Sequence, residues 1–242
     1  MNSTNNASAR SSYQIAKQIL FDAWITNFQA VNNTQAEAAS ACWAWVNGRK
    51  LSQGEIRLEV QLSITNNVFT FGVNTQQPNT NNLIFATEQR LNQQDSLIAS
   101  EYGIFVGKPS GQNDTQWYLR TYGNTQDFTA ATAAALDQTF YSNGNFSMKV
   151  NNDVVIPYRG LFNHLYRPQT QETAALGAGS PNDQIRGAED GFVTQEPFAL
   201  LIGTKNYVPQ INLVQNLASV DATTRAILIF RGILAQNSTS IN

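Results

Sequence analysis

One histidine, one cysteine and no run of basic residues limit what this 242-residue chain can do. His164 alone builds neither a multi-histidine metal site nor a paired-histidine mechanism. Cys42 alone forms no disulfide framework and no thiolate-cluster zinc site, and reads as a small buried hydrophobe. The 15 lysines and arginines are scattered and the net charge is -2. The electrostatic footprint of a phosphate-backbone binder is therefore missing, and direct sequence-specific nucleic-acid binding is not expected. No apolar run reaches the roughly 18 residues that span a bilayer. Ile19, Leu20 and Phe21, between Gln18 and Asp22, are too short a core for a secretory signal, so the expectation is a chain made and kept in a cytoplasm. Only 13% of residues are charged, and Asn and Gln together outnumber them. A neutral, amide-rich surface of this kind suits dense contact with copies of itself.

What the chain does have is β patterning. From Glu55 to Ile64 polar and apolar residues alternate strictly, which at period two places Ile56, Leu58, Val60, Leu62 and Ile64 on one strand face. Thr65, Asn66 and Asn67 then suit a tight reversal into Val68–Val73, because Asn tolerates positive φ. The stretch Gly54 to Val73 thus predicts a half-buried hairpin, with its polar face, Glu55, Arg57, Glu59 and Gln61, as an outer or subunit-facing surface. Gly144 to Tyr158 repeats the design around Asn151 and Asn152, and the pair of hairpins is open to two readings, an internal duplication or shared turn chemistry.

Residues 1 to 12, rich in Ser, Asn and Ala, predict a flexible arm. Tyr13, Ala16, Leu20, Trp24, Phe28 and Val31 recur at intervals of three and four, the stripe of an amphipathic helix. A second helical piece runs from Gln35 to Trp45 and ends at Asn47 and Gly48. The stripe fits either the chain's own β core or a neighbouring subunit, and Leu20, Trp24 and Phe28 are the subunit-contact candidates. Further strands are expected at Leu83–Gln89, Ser96–Val106, Trp117–Tyr122, Leu161–Tyr166, Phe198–Gly203, Tyr207–Val214 and Ala226–Leu234, with one helix from Ala130 to Phe140. The last strand is nearly continuous apolar, which implies a central position covered on both sides. Pro168 to Gly191 has no period and reads as a long loop.

About eleven short strands with sparse helices indicate an all-β antiparallel sandwich. A jelly roll fits best, because it makes the first and last strands neighbours, and one barrel fits the length better than two. The expected organisation is residues 1–50 as flexible N-terminus and helical arm, 51–236 as the jelly-roll domain and 237–242 as a loose tail.

Catalytic sets are thin. No Gly-x-Ser-x-Gly elbow accompanies His164, and no Gly-rich phosphate loop occurs. Glu55 and Glu59 share a strand face but lie about 13 Å apart with Arg57 between them, too far for a glycosidase pair. Asp183, Glu189 and Asp190 are candidate oxygen ligands for Ca²⁺, without EF-hand spacing. Trp43, Trp45 and Trp117 read either as a sugar-stacking platform or as buried and interface aromatics. No enzyme and no cofactor are expected.

Taken together, the opening stretch Gly54–Val73, the unit Phe146–Arg167 and the closing Ile229–Leu234 behind a helical N-terminal arm resemble jelly-roll major capsid proteins of tailless icosahedral bacteriophages, some of which carry an internal membrane. The resemblance covers roughly residues 50 to 235 and implies self-assembly into capsomers of a virion shell after synthesis in the host cytoplasm. Its implied partners are copies of itself, other virion proteins or an internal membrane. In the arm only Arg10 and Lys17 are basic, which points away from genome contact. The alternative is a carbohydrate- or receptor-binding, lectin-like jelly roll.

Overall fold

A computed structural model describes residues 4–73, 90–109, 117–125, 127–150, 153–166 and 191–239. Two helices come first. α1 spans Thr4–Gln29, so the segment expected as a flexible arm is helical from Thr4 onward. α2 spans Gln35–Asn47 and opens with a capping box: the Glu37 amide donates to the Thr34 hydroxyl and the Thr34 amide donates to the Glu37 carboxylate, both at 3.2 Å.

The strands follow as β1 (Lys50–Gln61), β2 (Val68–Thr70), β3 (Ser96–Pro109), β4 (Trp117–Arg120), β5 (Asn145–Val150), β6 (Asp153–Gly160), β7 (Phe192–Ile202), β8 (Tyr207–Asn212) and β9 (Arg225–Gln236). Between β4 and β5 lies α3 (Ala130–Ala135), which continues as a π-helical segment over Leu136–Tyr141. All pairings are antiparallel and form two sheets. One runs β1-β9-β3, with β7 and β4 end to end along the far edge of β3; the other runs β2-β8-β5-β6. The pairings nest: β1 with β9, β2 with β8, β3 with β7, β5 with β6. The chain is therefore an antiparallel ribbon folded at the β5–β6 hairpin and rolled up, with β9–β3 and β8–β5 contacts completing each sheet.

The inner faces of the two sheets share one core. Ile56, Leu58, Leu97, Tyr102, Ile104, Leu228 and Phe230 from the larger sheet meet Phe69, Phe146, Met148, Ile156 and Ile211 from the smaller, closed by Leu136, Phe140 and Tyr141. β1 pairs with β9 over its whole length, Ile56 opposite Phe230 and Leu58 opposite Leu228, as the expectation of neighbouring first and last strands requires. β9 lies inside its sheet and buries residues of both faces, in keeping with its continuous apolar sequence.

Several expectations are corrected. Gly54 to Val73 is not a hairpin: β1 and β2 belong to different sheets, and the Thr65–Asn67 turn carries the chain over the edge of the sandwich. The pairing that would have supported an internal duplication is thus present only at β5–β6. Ile64 points away from the core and is exposed, because the strand ends at Gln61 and Leu62 is the last inward residue. Leu161–Tyr166 is not a strand; Leu161–His164 is a 3-10 turn. The start of the tail is held down, the Asn237 amide bonding Asp95, the Ser238 amide the Gln94 carbonyl, and the Ser238 hydroxyl the Ala235 carbonyl. The strand expected at Leu83–Gln89 and most of the Pro168–Gly191 loop lie outside the described residues.

Candidate functional site

The outer faces of the two sheets differ, and each positions a different candidate surface. On the larger sheet, α1 and α2 cover one end. Ala16, Leu20 and Phe28 of α1 and Ala38, Cys42, Trp45 and Val46 of α2 pack with Ile98, Ile233 and Ala235 of the sheet. Leu20 is fully buried and Phe28 nearly so in this cluster, so neither offers area to a neighbouring subunit; Trp24 is half-buried, its ring 5.6 Å from that of Trp45. The packing of the stripe is thus on the chain's own sheet, the first of its two readings. Val31, the last member of the stripe, is exposed beyond the end of α1. Cys42 is buried with its thiol directed at the Phe21 carbonyl at 3.7 Å, and burial, with Asp22 nearby, pushes its pKa up. It is an inert core residue. Trp45 lies under the Arg49 guanidinium and Trp43 stacks on Phe21, so neither forms an open platform; the side chain of Trp117 lies outside the described residues.

Along the same outer face, past the helices, the polar residues of β1 meet β9. They were expected to form an outer or subunit-facing surface. Glu59 instead has only 3% of its side chain exposed and receives Arg225 at 3.1 Å and Arg57 at 3.4 Å. Beside them Phe105, Ile227 and Ile229 form a small apolar cluster with Leu119 and Phe192.

Between this cluster and the helices the face opens into a cleft of about 750 Å³. Its origin is a break in the β3–β7 ladder. Pairing jumps from Ala99–Ala199 to Glu101–Thr194, so Ser100 and the β7 segment from Gln195 to Phe198 bulge out of register. Bulges re-aim side chains, and here Ser100 and Phe198 come to line the cleft. Gly232 permits the bulge, since a Cβ there would collide with the Ile98 carbonyl. Across the floor Glu55, Arg231 and Glu101 stand in register on β1, β9 and β3. Arg231 donates towards Glu55 at 3.4 Å and lies over the Phe192 ring at 3.8 Å from its centroid. Glu101 makes no hydrogen bond or ion pair among the described residues. Tyr13 and Ser12 of α1 form the wall.

The outer face of the smaller sheet has no described element over it. Val68 of β2, Val154 and Tyr158 of β6, and Val214 just past β8 are exposed there, with Phe162 beyond β6 and Ile64 before β2 at its margins. Lys149, opposite Val154, and the exposed Asp153 at the start of β6 carry charge beside them.

Two remaining groups are structural. His164 is buried between the sheets, 1% exposed, with its ring 5.0 Å from Tyr102 and Nδ1 3.1 Å from the Gly191 carbonyl. A carbonyl only accepts, so Nδ1 carries the proton. Burial lowers the pKa to about 4, the nearby Arg159 charge adding to the effect and the Gly191 bond opposing it. Asp221 accepts from the Thr129 amide and hydroxyl, the Thr132 hydroxyl and Lys108. Burial alone would raise its pKa, but those bonds outweigh it and hold it below the usual value. Among the described residues no three His, Cys, Asp or Glu side chains gather into a metal site, and no helix is long and apolar enough to cross a membrane. Asp183, Glu189 and Asp190 lie outside the described residues.

Sequence reasoning missed the cleft. Glu101 and Arg231 were never grouped with Glu55, because only the strand register brings the three together. The one local signal was the polar phase of the β1 alternation. No family model, no curated protein and no solved structure matches the chain.

Proposed function

We propose that this chain is a structural protein that assembles through many copies into a closed shell, a jelly-roll major capsid protein of the kind its sequence resembles. The observation that carries the reading is the contrast between the two outer faces. One is covered at one end by the chain's own helices, and the other, with no described element over it, presents Val68, Val154, Tyr158 and Val214 to solvent. Val68 and Val214 lie at the β2 edge of this face and Val154 and Tyr158 at its β6 edge, so both edges offer apolar side chains to a partner.

The jelly-roll assignment is supported by the nested ribbon, which sets eight strands as β1-β9-β3-β7 facing β2-β8-β5-β6, with β4 as an addition at the end of β3. That architecture serves viral capsids, lectins and cupins alike, so the fold alone does not select the function. The amide-rich, weakly charged surface and the apolar outer face favour self-association. In this reading the helical pair belongs to each subunit's body, and contacts between subunits fall on the smaller sheet and its margins.

Electron microscopy of the purified protein, with a search for the chain in isolated particles, tests the proposal. Closed shells or regular capsomers are the expected result. A protein that stays monomeric at high concentration, in cells without particle-borne copies, would overturn it.

A further inference from the structure

We propose that the cleft between α1 and the larger sheet binds a neutral sugar unit of a glycan. At about 750 Å³ it falls within the range of small-molecule sites. Its polar floor is rich in acceptors: the carboxylates of Glu55 and Glu101 flank the guanidinium of Arg231 in register across three strands, with the Gln53 amide and Ser100 hydroxyl beside them. Glu101, half-buried and without a partner among the described residues, has both oxygens ready to accept.

The occupant must therefore supply donors, and charge decides which kind. Two carboxylates against one guanidinium leave the floor negative, which disfavours sialylated, sulfated or phosphorylated ligands. A bare ammonium would satisfy the carboxylates but leave Tyr13, Phe198, Ile98 and Ile233 without contact. A pyranose meets both demands. Its hydroxyls donate to Glu55 and Glu101 in charge-assisted bonds and accept from Arg231, while its C–H face rests on the ring of Tyr13 or Phe198. The bulge at Ser100 and Phe198 is what brings an aromatic ring and this polar ladder to the same opening. The inference stands apart from shell assembly, since the cleft is built within one chain and lies on the opposite sheet from the exposed apolar face.

Saturation-transfer NMR on the full chain tests it. The probes are the methyl glycosides of glucose, galactose, mannose and N-acetylglucosamine, with sialic acid and glucose 6-sulfate as acidic counterparts. At least one neutral glycoside is expected to receive saturation and the acidic sugars none. Glu101→Gln should weaken that binding at least tenfold at unchanged fold, checked by circular dichroism, while Val214→Asp on the other sheet leaves it intact. Absence of transfer to every neutral glycoside, equal transfer to the acidic ones, or undiminished binding by Glu101→Gln would each overturn the proposal.

Discussion

The two sheets of this sandwich share one core and differ in what lies behind them. β9 of the larger sheet reads Ala226 to Phe230 without a polar break and is buried on both faces. β8 of the smaller sheet alternates, with Tyr207, Pro209 and Ile211 buried and Val208, Gln210 and Asn212 half-exposed. Alternation marks a strand with one covered face, and its absence marks a strand with two. A sheet that alternates while keeping valines and a tyrosine on its outer side is therefore covered on one face within the chain and carries exposed apolar side chains on the other. That combination distinguishes the surface available for a partner from the surface already used.

If the outside of the larger sheet is buried under the helices and at the Glu59–Arg225 pair, damage there should cost folding. The largest loss is expected for Glu59→Gln, which removes the charge of a carboxylate, 3% exposed, that Arg225 and Arg57 both face. Breaking one side of a buried pair costs about 3–5 kcal/mol, measurable by urea denaturation. A loss under about 1 kcal/mol would mean that the β1–β9 outer face is solvated after all. Leu20→Ala should cost about 3 kcal/mol by the same measurement, the usual range for a fully buried leucine. An unchanged protein that no longer assembles would instead return α1 to the role of an arm between subunits.

The shared core gives a pH signature of similar size. His164 is neutral when folded, with its pKa lowered to about 4 from 6.5. Below 6.5 the unfolded chain takes up the proton first, so stability is complete above that pH and falls progressively as pH drops to 4. The loss is about 3 kcal/mol. A His164→Gln variant should lack this slope between pH 6.5 and 4. A wild-type protein with flat stability there would place the imidazole in water. The smallest effect on folding is expected on the smaller sheet, where Tyr158→Asp and Val214→Asp should each change stability by no more than about 0.5 kcal/mol.

Much of this contrast was legible in the sequence. The phase of Ile56, Leu58 and Leu62, the pairing of first and last strands, the central place of Ile227–Phe230 and the helix ending at Gly48 all follow from local period and capping, and the structure agrees. The failures share one cause. Asn66–Asn67 and Asn151–Asn152 present the same turn chemistry, yet only the second separates strands that pair, because a turn does not encode which sheet the next strand joins. Glu59 was placed on the outer surface because its partner, Arg225, is 166 residues away. Likewise the helical stripe of Leu20, Trp24 and Phe28 announced a buried face without stating whose surface would bury it. The cleft depends on a bulge at Ser100, and the alternation on either side of it gives no sign of that break.

Sedimentation velocity on the wild-type chain and a Tyr158→Asp/Val214→Asp double variant, with melting temperatures recorded in parallel, addresses the central claim most directly. The exposed apolar face of the smaller sheet, as the surface of self-association, predicts large assemblies for the wild type and a monomer of equal melting temperature for the variant. Wild-type monomer, or a variant that assembles as the wild type does, would contradict it.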